Sequence, residues 1–296
     1  MEIISWVSEI SAMERGNVPM TLHIRRHLIQ ACAAILYNAN AFTPLTEKAV
    51  DFPYTHACVP GLNCQYCRYT IAGCPLGVTQ QALSGTFSVV AWQFWGLLVL
   101  FGLLFGRMIC GWACPMGWLQ ELLYKVPFPK LKKNRITYYL SYVKYAVTAL
   151  FVLAIPLYTG LVTGRGITAF CAWICPGNFL EALLLPTLFQ GSVDNLVIAV
   201  QNSKFFWVMA LLVAMLWIYR PFCRFLCPLG AFYGLFNRFS AVGMTVDKEA
   251  CIHCSACVQT CPMDIRSVGD RECIGCGACM SACPTKAIRI RRPFGK

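Results

Sequence analysis

The sequence has few charged residues and few histidines. Only 13% of its 296 residues carry a charge, whereas 57% are hydrophobic. Soluble domains average about 25% charged residues, so this composition predicts a mostly membrane-embedded protein. A b-type haem needs histidines from facing helices, and no histidine lies in the middle of an apolar stretch, so we expect no haem. The histidines are His23, His27, His56 and His253.

Two further features are missing. No glycine-rich phosphate loop stands at a strand-to-helix turn, and the short stretch Ser84-Gly85-Thr86 is too weak a pattern to predict flavin attachment. The first residues contain Glu2, Glu9 and Glu14 and lack the short apolar core of a signal peptide. We therefore expect no flavin and no leader, and we expect any substrate chemistry to belong to a partner.

Four apolar stretches approach the roughly 20 residues that cross a bilayer core of about 30 Å. They cover residues 28–45, 89–106, 146–162 and 196–219. The third extends back to Tyr138 if the long side chain of Lys144 reaches the membrane surface, and Pro156 lies inside it as a tolerated kink. The fold class predicted is an α-helical membrane protein with four transmembrane helices.

The net charge of +12 is distributed unevenly along the chain. Basic residues concentrate before the first span, between the second and third, and after the fourth, at Arg25, Arg26, Arg107, Lys125, Lys130, Lys132, Lys133, Arg135, Arg220, Arg224 and Arg238. The alternate loops hold only Lys48, Arg68, Arg165 and Lys204. This positive-inside pattern predicts both termini on the cytoplasmic side of the inner membrane, and it argues against nucleic acid as the partner.

The C-terminal segment contains the cysteine pattern CxxCxxCxxxCP twice, ending at Pro262 and Pro284. Bacterial ferredoxins use this run, in which the fourth cysteine ligates the other [4Fe-4S] cluster. A disulfide framework does not repeat such a spacing in register. We predict one cluster on Cys251, Cys254, Cys257 and Cys283, and a second on Cys273, Cys276, Cys279 and Cys261. His253 is expected to be a bystander.

A second motif, CxxxCP, occurs three times, at residues 110–115, 171–176 and 223–228. GRMICGWACPMG at 106–117 matches YRPFCRFLCPLG at 219–230, with Arg107 and Arg220 in the same place. The four helices therefore form a tandem two-helix repeat. Brought together, the two copies predict an inner-face cluster on Cys110, Cys114, Cys223 and Cys227. The two arginines either offset cluster charge or anchor helix ends at the membrane surface.

Six cysteines are expected on the outer face: Cys58, Cys64, Cys67, Cys74, Cys171 and Cys175. One arrangement pairs Cys67 and Cys74 with the third CxxxCP motif and leaves Cys58 and Cys64 as a disulfide or as accessory ligands. The other uses Cys58, Cys64, Cys67 and Cys74 for one cluster and leaves the CxxxCP pair spare. The lone Cys32 is predicted to be a packing residue.

These motifs resemble those of NapH/MauN-type polytopic membrane 4Fe-4S proteins. The resemblance covers roughly residues 24–285 and is carried by GRMICGWACPMGWLQELL, FCRFLCPLGAFYGLFN and the two ferredoxin runs. It implies a quinol dehydrogenase subunit or a transmembrane electron carrier that serves a partner oxidoreductase. Whether the chain is itself an enzyme stays open.

The predicted organisation is a cytoplasmic N-terminal segment (1–27), a four-helix membrane domain (28–240) and a small α+β ferredoxin domain (241–296). The leading hypothesis is a membrane-bound carrier of electrons between two ferredoxin clusters, one or two clusters in the membrane domain, and quinone or a partner subunit. An assembly factor that reduces a metal centre during maturation of another enzyme is the alternative. A third hypothesis treats the spans as a mere anchor for the ferredoxin domain.

Overall fold

The computed structural model describes residues 20–38, 57–64, 72–83, 89–131, 133–164, 166–181 and 204–291. In these ranges the chain is mainly helical. The helices are α1 (Met20–Tyr37), α2 (Pro75–Leu83), α3 (Val89–Phe105), α4 (Met108–Trp112), α5 (Pro115–Tyr124), α6 (Arg135–Leu140), α7 (Val143–Val147), α8 (Ile155–Thr163), α9 (Pro176–Phe179), α10 (Lys204–Trp217), α11 (Pro221–Phe225), α12 (Pro228–Phe236), α13 (Ala256–Thr260) and α14 (Ala278–Ala282). Two π-helical segments cover Thr148–Ala154 and Phe170–Ile174.

Four helices begin with a proline that directly follows a cysteine. They are α2, α5, α9 and α12, preceded by Cys74, Cys114, Cys175 and Cys227. Proline suits the first helical position because its φ is preset and its missing N–H has no partner there. The cysteine before it keeps an extended backbone, with ψ near 115° at Cys114, Cys175 and Cys227. The Cys-Pro pair thus fixes a thiol at the start of each helix.

One helix among the described residues, Ile136–Thr163, is long and apolar enough to cross a membrane. Two shorter apolar helices cover Gln93–Phe105 and Lys204–Trp217. Helix α1 begins eight residues before the first predicted span, and residues 39–45 and 196–203 of the predicted spans lie outside the described ranges. A single such helix is weak support for membrane insertion, and four transmembrane helices are not confirmed.

The side chain of Lys144 does not extend to a membrane surface, contrary to the prediction from sequence. It is fully buried and forms an ion pair with Glu272, in the loop between the two ferredoxin runs. An interior carboxylate supplies the countercharge that a membrane surface would otherwise provide, so the amine does not extend outward. The predicted packing role of Cys32 also fails in this chain, because its side chain is exposed.

The described strands form two small sheets. Strands β1 (Ala57–Cys58) and β2 (Ala72–Gly73) pair in parallel, and β3 (Gly243–Val246) and β4 (Ile288–Arg291) pair antiparallel with Gly243 opposite Arg291. Strand β3 precedes the two cysteine runs and β4 follows them, so their pairing joins the two ends of the ferredoxin segment. Buried residues of this segment, such as Ile274 and Met263, belong to the same hydrophobic core as the cysteines of α4 and α11.

Candidate iron-sulfur sites

The first ferredoxin set lies around one cavity. Cys251, Cys254, Cys257 and Cys283 all line an opening of about 410 Å³. The loop turns sharply because His253 and Ser255 have left-handed backbones, with φ of 57° and 58°. We call this group ferredoxin site one.

The second set, ferredoxin site two, consists of Cys261, Cys273, Cys276 and Cys279. Burial, together with the neighbouring Cys276 and Cys273 thiols, raises the pKa of the Cys261 thiol to about 12. Burial and the same neighbours raise the pKa of Cys279. The structure therefore brings together the four cysteines that the spacing predicts for the second cluster.

The two matching CxxxCP copies also meet. Cys110, Cys114, Cys223 and Cys227, which we call site A, are all buried, with 3–5% of each side chain exposed. Burial raises the pKa of Cys227, and the thiols of Cys223, Cys110 and Cys114 raise it further because they lie close by. Each half of the repeat thus contributes two thiols to one buried group of four.

Three N–H groups point at sulfurs of site A. The backbone N–H of Leu62 donates to Cys114 Sγ over 3.5 Å, and that of Gly230 donates to Cys227 Sγ over 3.4 Å. The Gln120 side chain donates to Cys223 Sγ over 2.9 Å. Such donors favour a thiolate over a thiol, which is the form that binds metal.

Each arginine of the repeat contacts the other half. Arg107 donates to the carbonyl oxygen of Cys223 over 2.8 Å, and Arg220 donates to that of Cys110 over 2.5 Å. Both side chains are fully buried. Their role as anchors at a membrane surface is therefore wrong, and the positive charge stands beside site A.

Two buried carboxylates balance these cations. Glu121 accepts hydrogen bonds from Arg26 (2.8 Å), Arg220 (2.9 Å) and the Tyr219 hydroxyl. Burial alone would raise the pKa of Glu121, but Arg220 and Arg26 lower it to about 2. Glu272 plays the same part for Arg107 and Lys144. Each of the two arginines beside site A is therefore paired with a buried carboxylate.

A second thiol cavity lies next to site A. Cys64, Cys74, Cys171 and Cys175, which we call site B, line one small cavity of about 20 Å³. The side chain of Cys58 and the whole of Cys67 lie outside the described residues. Neither predicted outer arrangement names this set of four, because Cys64 stands with the CxxxCP pair.

Sites A and B each have a glutamine that makes the same two hydrogen bonds. Gln80 donates to Cys171 Sγ over 3.1 Å and accepts from the Phe170 backbone N–H over 2.9 Å. At site A, Gln120 accepts from the Phe222 backbone N–H over 3.1 Å while it donates to Cys223. Sequence reasoning missed both glutamines. The signal was present, since CPLGVTQ at 74–80 and CPMGWLQ at 114–120 place them identically.

Two family models and two named relatives decide the family. One model, described as a 4Fe-4S binding domain, matches residues 87–135, 145–189 and 204–244, and another with the same description matches 244–267 and 269–289. The methylamine utilization ferredoxin-type protein MauN of Paracoccus denitrificans is 39% identical over 99 residues, 30% of this chain and 35% of that protein. The ferredoxin-type protein NapH of Escherichia coli is 24% identical over 169 residues, 56% of this chain and 51% of that protein. The chain is a NapH/MauN-type 4Fe-4S protein.

An uncharacterized protein of Methanocaldococcus jannaschii is also similar to this NapH/MauN-type chain. It is 32% identical over 177 residues, which make up 57% of this chain and 64% of that protein. A second uncharacterized protein of the same organism is matched over 57% of its length. The chain thus spans less than two thirds of these relatives. No solved structure matches it significantly.

Each thiol set of the NapH/MauN-type chain has four cysteines, which is one for each iron of a [4Fe-4S] cluster. Among the described His, Cys, Asp and Glu side chains, no three converge closely enough to hold one metal ion. One zinc ion would draw its thiolates to about 2.3 Å from a single point. A [4Fe-4S] cluster binds each thiolate through a different iron, so its ligands stand further apart. Buried thiols with N–H donors aimed at sulfur suit that arrangement.

Sites A and B lie closer than the sequence predicts. Leu62 donates its N–H to Cys114 of site A and also lines the cavity of site B. Burial raises the pKa of Cys74, and Cys227 of site A is near enough to raise it too. The expectation of cysteine groups on opposite membrane faces is therefore wrong for these two sites. The reason is that residues 57–64 fold back into the protein, where Cys74 N–H donates to Asn63 O over 2.9 Å.

Site A also contacts ferredoxin site two. The Trp112 indole donates to the carbonyl oxygen of Gly275 over 3.0 Å, and Arg107 donates to that of Arg271 over 2.9 Å. Gly111 permits the approach, because a Cβ there would lie only 2.2 Å from the carbonyl oxygen of Ile274. The loop that carries Cys273 and Cys276 therefore rests directly on the segment that carries Cys110.

Proposed function

We propose that this protein carries electrons within a membrane, between its ferredoxin segment, site A, and a quinone pool or a partner oxidoreductase. [4Fe-4S] clusters supply reversible one-electron chemistry when they are bound. The observation that carries the proposal is the direct contact of Trp112 and Arg107 with the loop of ferredoxin site two. A protein that only anchored a ferredoxin would need no thiol set beside that contact.

The membrane location rests on composition and on the pattern of charge. The helix Ile136–Thr163 has a mean hydropathy of 2.0 in its most apolar window, and only 17% of that window is buried inside the protein. Exposed apolar side chains such as Leu157 and Leu161 suit contact with lipid. With the positive-inside pattern, both termini and the ferredoxin segment belong on the cytoplasmic side.

An open cavity beside ferredoxin site two is the proposed place of exchange with quinone or a partner. It measures about 590 Å³ and is lined by Cys276, Glu121, His27 and Tyr219 among others. This volume suits an organic ligand. The carboxylate of Glu121 and the hydroxyl of Tyr219 lie beside a proposed cluster ligand there, so a bound group and the cluster would be neighbours.

The cavity can be tested by filling it. Ser281, which lines it, is replaced by tryptophan, and Ser267, which lines the cavity of ferredoxin site one, receives the same change as a matched control. Ser281→Trp should slow electron exchange with a quinone analogue at least about tenfold at unchanged iron content, while Ser267→Trp should not. Equal rates in both variants would place the exchange elsewhere.

The conduit itself is tested by removing site A. We expect the double variant Cys110→Ser/Cys227→Ser to lose about four irons per chain and most of the electron transfer between the ferredoxin segment and a quinone analogue. The exposed Cys32→Ser is the matched control and should change neither. Full electron-transfer activity in the double variant would favour the anchor hypothesis, and about eight irons in the unaltered chain would contradict a cluster at site A.

A further inference from the structure

The four thiols of site B line one small cavity. Cys64, Cys74 and Cys175 are buried and Cys171 is half-buried, and none of the four is in a disulfide. Their cavity is otherwise lined largely by apolar groups such as Leu62 and Phe170. Buried structural cysteines are common, so the clustering needs a second observation before it points to a ligand.

That observation is Gln80. Its side chain is fully buried, where an amide is costly unless both its ends are paired. Here the amide nitrogen donates to Cys171 Sγ and the amide oxygen accepts from the N–H of Phe170. Gln120 makes the same two bonds to Cys223 and Phe222 at site A. The chain therefore builds the same support around the first cysteine of two of its three CxxxCP motifs.

Site B also has a cation beside one of its cysteines, as site A does. Lys204 donates to the carbonyl oxygen of Cys171 over 2.8 Å, as Arg107 does to that of Cys223. A cluster with four thiolates carries net negative charge, so a cation near its ligands stabilises the bound state and raises its potential. On the other side, the backbone N–H of Cys64 donates to the carboxylate of Glu181.

We propose that Cys64, Cys74, Cys171 and Cys175 bind a fourth [4Fe-4S] cluster, with Gln80 as a positioning residue for Cys171. Each thiol loses one proton to solvent and forms one bond to iron, so loading releases four protons per cluster. Because Leu62 contacts both sites, site B extends the series of thiol sets one position beyond site A. This inference rests on the proposed function and adds a further carrier to it.

Iron and sulfide counts on the anaerobically purified full chain distinguish the possibilities. Four loaded sites give about 16 irons per chain, and Cys64→Ser/Cys171→Ser should lower this to about 12, with Cys32→Ser as the control. About 12 irons in the unaltered chain, unchanged by the double variant, overturns site B and leaves the proposed function standing. About eight irons overturns both.

Folding of the double variant is checked by its ferredoxin signals. The electron paramagnetic resonance signals of ferredoxin sites one and two should persist in Cys64→Ser/Cys171→Ser, because their ligands are elsewhere. Thiol alkylation gives an independent result. Cys64 and Cys171 should resist iodoacetamide in the loaded chain and react after iron is chelated, whereas reaction in both states overturns the proposal.

Gln80→Leu tests the positioning role without touching a ligand. Loss of the amide donor should lower the midpoint potential of one cluster and leave the iron count and the other potentials unchanged. A merely structural glutamine would change the melting temperature and no single potential. An unchanged set of potentials would overturn the role of Gln80.

Discussion

Sites A and B are built alike around the cysteines and differently around the charges. Both have buried thiols at helix starts where a proline follows a cysteine. In both, a glutamine donates to a cysteine sulfur and accepts from the backbone N–H of the residue before that cysteine. Site A has two buried arginines with their carboxylates, whereas site B has Lys204 and Glu181. The two sites thus share the arrangement of their thiols and differ in the charged groups around them.

Removing a carboxylate should destabilise the protein more at site A than at site B, because the site A carboxylates pair with buried arginines. Glu121→Gln leaves Arg26 and Arg220 buried with less countercharge, and breaking a buried ion pair costs about 3–5 kcal/mol. Burial raises the pKa of Glu181 to about 7, so about half of this carboxyl is already neutral at pH 7, and Glu181→Gln costs about 1 kcal/mol.

Thermal unfolding of the two variants in the same detergent checks this difference. The melting temperature should fall several times further for Glu121→Gln than for Glu181→Gln. Equal shifts would mean that the arginines of site A find other partners.

Site A touches the ferredoxin segment, and this contact can be broken by one methyl group. In Gly111→Ala the added Cβ would collide with the carbonyl oxygen of Ile274, at a cost of about 1–3 kcal/mol. We expect slower electron transfer between ferredoxin site two and site A, measured by rapid-mixing reduction with dithionite. Gly96→Ala is the control, because nothing lies within 4 Å of a Cβ there, and it should keep the rate of the unaltered chain.

The potentials of the two sites should differ. Arg107 and Arg220 each contact a cysteine carbonyl of site A, whereas at site B Lys204 contacts that of Cys171. The midpoint potential of site A should therefore be higher than that of site B by on the order of tens of mV. Redox titration followed by electron paramagnetic resonance measures both, and Cys64→Ser/Cys171→Ser identifies the signal of site B. A higher potential at site B would show that charge is not the controlling difference.

The smallest expected effect concerns the shared glutamines. Gln120→Leu and Gln80→Leu each remove one hydrogen bond to a cysteine sulfur, so each should lower one midpoint potential by a similar amount, on the order of tens of mV. The same redox titration detects the shifts. A shift at one site only would break the equivalence of the two sites.

Prediction from sequence worked where spacing alone fixes geometry. The two CxxCxxCxxxCP runs indicate which cysteines share a ferredoxin site, and the repeat around Arg107 and Arg220 brings four further cysteines together. Those groups meet in the structure as their spacing indicates, since the residues lie a few positions apart or are related by a repeat. Their role as cluster ligands stays a prediction.

Features that depend on distant packing were not predictable. The partner of Lys144 is Glu272, 128 residues away, and no local pattern links the two. Cys64 lies near Cys171 only because residues 57–64 fold inward. The glutamines were overlooked for another reason, since a lone Gln in an apolar stretch looks like an interruption until its counterpart is aligned.

The exchanged contacts of Arg107 and Arg220 have a consequence for biosynthesis. Each arginine donates a hydrogen bond to a carbonyl oxygen in the other half of the repeat, more than a hundred residues away. Arg107 also forms an ion pair with Glu272, which is synthesised later still. During translation, neither half can complete site A before the other has emerged from the ribosome. Insertion of the proposed cluster at site A would therefore be a late event, and a chain that stops before residue 220 should leave Cys110 of α4 exposed to oxidation and to quality-control proteases.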